Sequence, residues 1–265
     1  MTAMPRLSRS GIEYGTHCWN FYPGCLHKPR GICPVPRCWA EDMSKRQKQD
    51  FHNPHLIPAR LLAPLSRKKS SRILVNFMGD LFGDWVDPEK KMESTLPSGI
   101  GTINMSLRGW VLTTIKQCPQ HTFVFLTKNP KGLLKWSPFP DNCSVGFSAC
   151  NREMLLAGCR MMRAVEARVQ FVSIEPMLED TWCLPSTPVL AGIKWVIIGA
   201  QTKPSRPPEA AWIETMIEVA DTAGAKVFLK NNLAPLLNPV NLQKLGISMA
   251  PFYTEDLKLR QELPR

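Results

Sequence analysis

The 265-residue chain lacks any long hydrophobic run. Its longest uncharged apolar stretch, around Trp195–Ala200, is far below the roughly 20 residues that span a bilayer, so no membrane span is expected. The basic Met1–Ser10 segment is not followed by an apolar core, so it does not read as a secretory signal, and a cytoplasmic location is expected. Internal repeats, low-complexity tracts, zinc-finger signatures and RNA-recognition signatures are all missing, as is a clean domain boundary. Acidic residues are in the minority: 33 Lys+Arg face 22 Asp+Glu, a formal charge of +11. Apolar residues are nonetheless 44% of the chain, enough for a core, which excludes a wholly disordered protein. The basic balance is compatible with plain solubility and equally with an anionic partner, nucleic acid or a phosphate-bearing substrate. The densest basic run, Arg67-Lys68-Lys69, reads as a solvated loop rather than a binding site.

What is there begins with short apolar runs that end in turn or small polar residues. They are Ile73–Phe77, Thr122–Leu126, Ser144–Phe147, Val169–Ile174, Trp195–Ile198 and Val227–Leu229, rich in β-branched and aromatic residues and too short for helices. Helical spacing lies between them. Ile103, Leu107, Trp110, Val111 and Ile115 share one face; Met154, Leu155, Cys159, Met162 and Ala164 share a second. Trp212, Ile213, Met216, Ile217, Val219 and Ala220 share a third, between Pro207-Pro208 and Gly224. Lys68–Arg72 and Pro88–Gly101 read as loops. Strand and helix in alternation predict parallel βαβ units. The expected fold is α/β: a full or partial (β/α) TIM-type barrel over residues 1–240, with 241–265 as a C-terminal cap or tail. A doubly wound open sheet is the runner-up.

Nine cysteines, an odd number, argue against a disulfide framework. Cys118, Cys143, Cys150, Cys159 and Cys183 sit among apolar neighbours and read as core residues. Cys18, Cys25, Cys33 and Cys38 fall in the first 40 residues; the last three lie in a Pro- and Gly-rich loop, after a short strand near Gly11–Tyr14 and before a helix over about Trp39–Gln49. Three thiolates on one loop can hold an iron–sulfur cube with one iron left open. Four thiolates can hold tetrahedral zinc, although no Cys-x-x-Cys pair is present. A reactive-cysteine enzyme is a further option, for which no partnering His and Asp stand out. Spacing alone leaves cluster and zinc both open.

The segment from Ile12 to Cys25, with Trp19-Asn20 and Gly24-Cys25, ends in Cys38-Trp-Ala-Glu41 and resembles the phage-associated three-Cys-motif family, which is of unassigned function and radical-SAM-like. Further segments match in order: Val75–Phe82, Pro119–Lys128, Ser144–Ser148, Phe171–Leu178, Trp195–Gly199 and Ala223–Lys230. The resemblance covers roughly residues 11–232. The family's cysteine spacings of six and two are seven and four here; its Asn-Pro is Asn20-Phe21, and its Gly-Gly-Glu is Gly199-Ala200-Gln201. Cys18 stands where the family carries a non-cysteine and is left out of the ligand set.

The resemblance implies a radical SAM enzyme. Cys25, Cys33 and Cys38 would hold a 4Fe–4S cluster whose open iron chelates S-adenosylmethionine, which is cleaved to a 5′-deoxyadenosyl radical. Gly79, Asp80, Lys128, Ser148 and Glu175, each following a strand, are the expected cofactor contacts. Gln201 and Lys230 are expected substrate contacts. Tyr22 and Trp39 flank the cysteines, to shield the cluster or to pack the loop. The implied partners are DNA or a nucleotide-like substrate, with modification of a flipped base one outcome, and a reductant protein as electron donor. The alternative is a zinc-stabilised nucleic-acid-binding protein without catalysis.

Overall fold

The structure is a computed structural model and describes residues 5–95, 102–180 and 189–264. Cys183 and residues 96–101 of the expected Pro88–Gly101 loop lie outside the described residues. The chain divides into two compact units. One takes the described residues up to Cys33, then Cys38–Ser144 and Val165–Arg168; the other takes Pro34–Arg37, Val145–Ala164 and the described residues from Val169 on.

The first unit holds strands β1 (Ser8–Arg9), β2 (His17–Trp19), β3 (Arg72–Val75), β4 (Lys91–Thr95), β5 (Thr102–Ser106) and β6 (Thr122–Thr127), with helices α1 (Trp39–Arg46) and α2 (Leu107–Lys116). β2 pairs with β3 and β3 with β6, all parallel, and β1 caps β2 antiparallel. Its core is aromatic: Phe82 packs edge-on against Phe125 and Trp136, with centroids 5.8 and 5.6 Å apart. Such pairs contribute about 0.5–1.5 kcal/mol each beyond area burial.

The second unit takes β7 (Cys143–Ala149) from Val145 on, then α3 (Arg152–Met162), β8 (Val169–Ile174), β9 (Ile193–Ile198), the hairpin β10 (Gln201–Thr202) and β11 (Ser205–Arg206), α4 (Ala210–Thr222), β12 (Lys226–Leu229), α5 (Ala234–Leu237) and α6 (Pro239–Leu245). β8 pairs with β9 and β9 with β12, all parallel. Trp195 on β9 stacks between Phe171 of β8 and Phe228 of β12, at 5.2 and 6.2 Å. The segment after α6 returns along β12: Leu229 N–H donates to the Arg260 carbonyl and Glu262 N–H to that of Val227, both at 2.8 Å.

The strands form an eight-stranded, mostly parallel sheet in the order β1-β2-β3-β6-β7-β8-β9-β12. It ends in two edges, so the full barrel is not formed: β1 and β12 do not pair. The doubly wound alternative also fails. Its strand order would reverse at a switch point, whereas here the strands of the sheet follow one another in chain order, with β4–β5 and β10–β11 set apart as separate hairpins.

Local departures have local causes. Gly11–Tyr14 is a turn closed by Gly15 N–H on the Ile12 carbonyl at 3.0 Å, and the strand falls on His17–Trp19, where β3 offers a partner. β3 stops at Val75 because Asn76 adopts φ 55°. α1 ends at Arg46, and Lys48 turns left-handed at φ 55°. Lys91–Thr95, expected within a loop, pairs with β5. Ile103 belongs to that hairpin rather than to α2, which starts at Leu107 behind an N-cap in which Ser106 Oγ accepts from Gly109 N–H at 3.2 Å. Cys118, Cys143, Cys150 and Cys159 are buried, as core residues should be.

Candidate functional site

The cysteine loop is fastened to the turn that follows β3. Gly24 and Gly79 form a parallel bridge, and Gly24 N–H donates to the Met78 carbonyl at 2.9 Å. A Cβ on Gly79 would stand 2.5 Å from the Gly24 carbonyl oxygen, so only glycine lets the two backbones meet. Gly79 is therefore a close-approach residue that seats Cys25. Two asparagines complete the fastening. Asn76 Oδ1 accepts from Phe21 and Tyr22 N–H at 2.9 Å, and Asn20 Oδ1 accepts from Met78 N–H at 3.1 Å. Cys25 N–H donates to the Phe51 carbonyl at 2.9 Å.

Asp80 is 4% exposed and surrounded by donors. Thr127 O–H reaches its two oxygens at 2.8 and 2.9 Å, Lys128 N–H donates at 2.9 Å, Phe82 N–H at 3.0 Å, and His27 Nε2 lies 2.7 Å from Oδ2. Of Lys128, it is the backbone N–H that joins this network. Asp80 thus ties the end of β6 to the cysteine loop through His27, whose N–H donates to Cys25 Sγ at 3.5 Å. The His and Asp that the sequence reading found missing beside the cysteines are present, 53 residues apart in sequence. Glu41 works from the other end of the loop, accepting from Lys28 at 3.2 Å and Lys45 at 2.8 Å, which hold its carboxyl down at about 2. Trp39 is 51% exposed.

Burial pushes the Cys25 thiol up to about 12, and the negative charges of Asp80, Cys38 and Cys33 add to the shift. Among the described residues, no group of three or more His, Cys, Asp and Glu stands in ready-made ion-holding geometry. Cys18 lies within β2, its thiol raised by burial. A thiol near 12 is a poor nucleophile, which argues against Cys25 as a reactive cysteine. Against an ordinary cysteine at 9.0, the thiolate fraction at pH 8 falls roughly a thousandfold. The greater basicity returns about twentyfold in nucleophilicity, so iodoacetamide should modify Cys25 of the metal-free protein roughly 40-fold more slowly than a free thiol. Peptide mass spectrometry over a time course reads this directly, and a Cys25 rate equal to that of a free thiol would refute it.

In the second unit, Glu175 after β8 and Lys230 after β12 form an ion pair at 2.5 Å, their side chains 25% and 13% exposed. Gly199 lies beneath them: a Cβ there would sit 3.1 Å from Glu175 Cγ and from Lys230 Cδ. Ser148 Oγ is 3.5 Å from the Glu175 carbonyl oxygen. Gln201 is turned inward, donating from Nε2 to the Pro204 carbonyl at 2.8 Å within the β10–β11 hairpin. The expected site residues thus fall into two groups. Cys25, Cys33, Cys38, Gly79, Asp80 and Lys128 belong to the first unit, and Ser148, Glu175, Gln201 and Lys230 to the second.

This is an α/β protein with a mostly parallel sheet and a cysteine loop seated at the ends of β2 and β3. A family model described as a protein of unknown function (DUF5131) matches residues 9–97 and 100–236, and the chain belongs to that family. No curated protein and no solved structure matches it. No helix among the described residues is long and apolar enough to cross a membrane.

Proposed function

We propose that this chain is a radical SAM enzyme of the phage-associated three-Cys-motif type, built on a partial (β/α) barrel, with Cys25, Cys33 and Cys38 as ligands of a 4Fe–4S cluster. The observation that carries the reading is the cysteine loop: three soft donors within 14 residues, with Cys25 seated by the Gly24–Gly79 bridge and Cys33 tied back by its N–H to the His27 carbonyl. Donor type and number fit the cluster. When bound, it supplies the electron that cleaves S-adenosylmethionine to methionine and a 5′-deoxyadenosyl radical.

The chain's own residues do the positioning. Gly79 seats Cys25, and Asp80 orients His27 and clamps Lys128 and Thr127. We assign Ser148, Glu175 and Lys230 to cofactor and substrate: a carboxylate suits the cationic amino group of S-adenosylmethionine, and an ammonium suits a carboxylate or phosphate. The +11 charge favours a nucleic-acid base or a nucleotide-like molecule as substrate, and a reductant protein as electron donor completes the scheme.

Anaerobic purification with iron, sulfide and zinc analysis tests this. About four irons and as many sulfides per chain are expected, with S-adenosylmethionine cleaved under reduction. One tightly bound zinc and no iron after reconstitution would overturn the mechanism and favour a zinc-stapled nucleic-acid-binding protein.

A further inference from the structure

We propose that His27 is a fourth protein donor to this centre, through Nδ1. The inference rests on the cluster reading above for the identity of the metal, and on the structure for the donor.

The Asp80 carboxylate receives hydrogen bonds from Thr127, Lys128 and Phe82. In each of these contacts a carboxylate oxygen is the acceptor. His27 Nε2, 2.7 Å from Oδ2, faces that acceptor and is assigned as the donor of the contact. The second nitrogen of the same ring, Nδ1, is left without a partner. His27 is 2% exposed, and Nδ1 has no hydrogen-bond partner. A buried polar atom in this state is costly unless something occupies it.

Its surroundings say what that is. The His27 backbone donates to Cys25 Sγ at 3.5 Å, and its carbonyl accepts from Cys33 N–H at 3.3 Å. His27 is thus tied through its own main chain to two of the three thiol residues. The ring is fixed by Asp80 and by a T-shaped contact with Trp85, centroids 4.9 Å apart. A histidine whose one nitrogen is held by a carboxylate and whose other nitrogen is bare is the pattern of a metal-ligating imidazole. Imidazole nitrogen binds iron and zinc alike, and replaces cysteine on one iron of Rieske centres. In the enzyme without S-adenosylmethionine, His27 would hold the position the three thiolates leave open, and it would yield that position when S-adenosylmethionine binds.

The test uses the full chain labelled with 15N-histidine, reconstituted anaerobically, reduced and studied by pulsed EPR. A 15N coupling to the cluster is expected. It should vanish on adding S-adenosylmethionine. It should also vanish in His27→Gln, whose amide can still donate to Asp80, with iron unchanged at about four per chain. His52→Gln should keep the coupling, which secures the assignment should His27→Gln not fold. A cluster without 15N coupling, or a coupling that survives His27→Gln or is lost in His52→Gln, would overturn the role of His27 and leave the radical reading standing. If zinc replaces iron, the radical reading falls and X-ray absorption decides His27 separately. Three sulfurs with imidazole scattering support it, and a shell without imidazole overturns it. A chain that takes neither metal overturns both.

Discussion

Replacing Cys25, Cys33 and Cys38 together by alanine is expected to remove the iron completely, from about four per chain to none, with S-adenosylmethionine cleavage lost alongside. The fold should survive. The loop is held mainly by backbone contacts that alanine keeps: Gly24 to Met78, Cys25 to Phe51, and Cys33 to the His27 carbonyl. Asn76 and Asn20 add side-chain contacts to it from Phe21, Tyr22 and Met78, none involving a thiol. The thiols themselves are only part-buried, unlike Cys118, Cys143, Cys150 and Cys159. Cys18→Ala is the control and should keep its iron, because that thiol lies in β2 outside the loop. Iron and sulfide assays read the first effect and circular dichroism the second. A folded triple variant that retained iron would end the assignment of these three ligands.

The elements legible in the sequence are those whose pattern is local. Val169–Ile174 is a strand from its first residue to its last, because a buried parallel strand is a short apolar run with turn residues behind it. α4 lies between Pro207-Pro208 and Gly224, whose φ of 69° is the left-handed turn expected after a helix. β2 and β4 were not legible for the same physical reason. His17–Trp19 and Lys91–Thr95 have no apolar alternation, and each is a strand only because another segment pairs with it. The site divides along the same line. The cysteines announce themselves by type and crowding. The His27–Asp80 contact spans 53 residues and has no local signal beyond a histidine two places after Cys25. Gly79 and Asp80 follow a strand, as the family resemblance implies. What the structure adds is their work: a close backbone approach and a carboxylate already saturated by the fold.

Asp80→Ala should be the most damaging single substitution at the site. The carboxylate is buried, and its removal leaves the Thr127 hydroxyl, the Lys128 and Phe82 N–H groups and His27 Nε2 without their acceptor. Each buried donor left without an acceptor costs about 1–3 kcal/mol, which urea denaturation reads as a lower midpoint. Asp80→Asn separates stability from function. Its oxygen still accepts from Phe82 and Thr127, so much of the stability should remain. Its amide nitrogen, turned toward His27, is a donor and requires Nε2 to accept. The proton then moves to Nδ1, which can no longer ligate. Loss of an outer-shell partner typically weakens metal affinity about 10- to 100-fold, and a chelator titration of the reconstituted protein measures it. Asp80→Asn is therefore expected to stay folded and to lose the 15N-histidine coupling, whereas a variant with native coupling would show that Asp80 does not set the His27 tautomer.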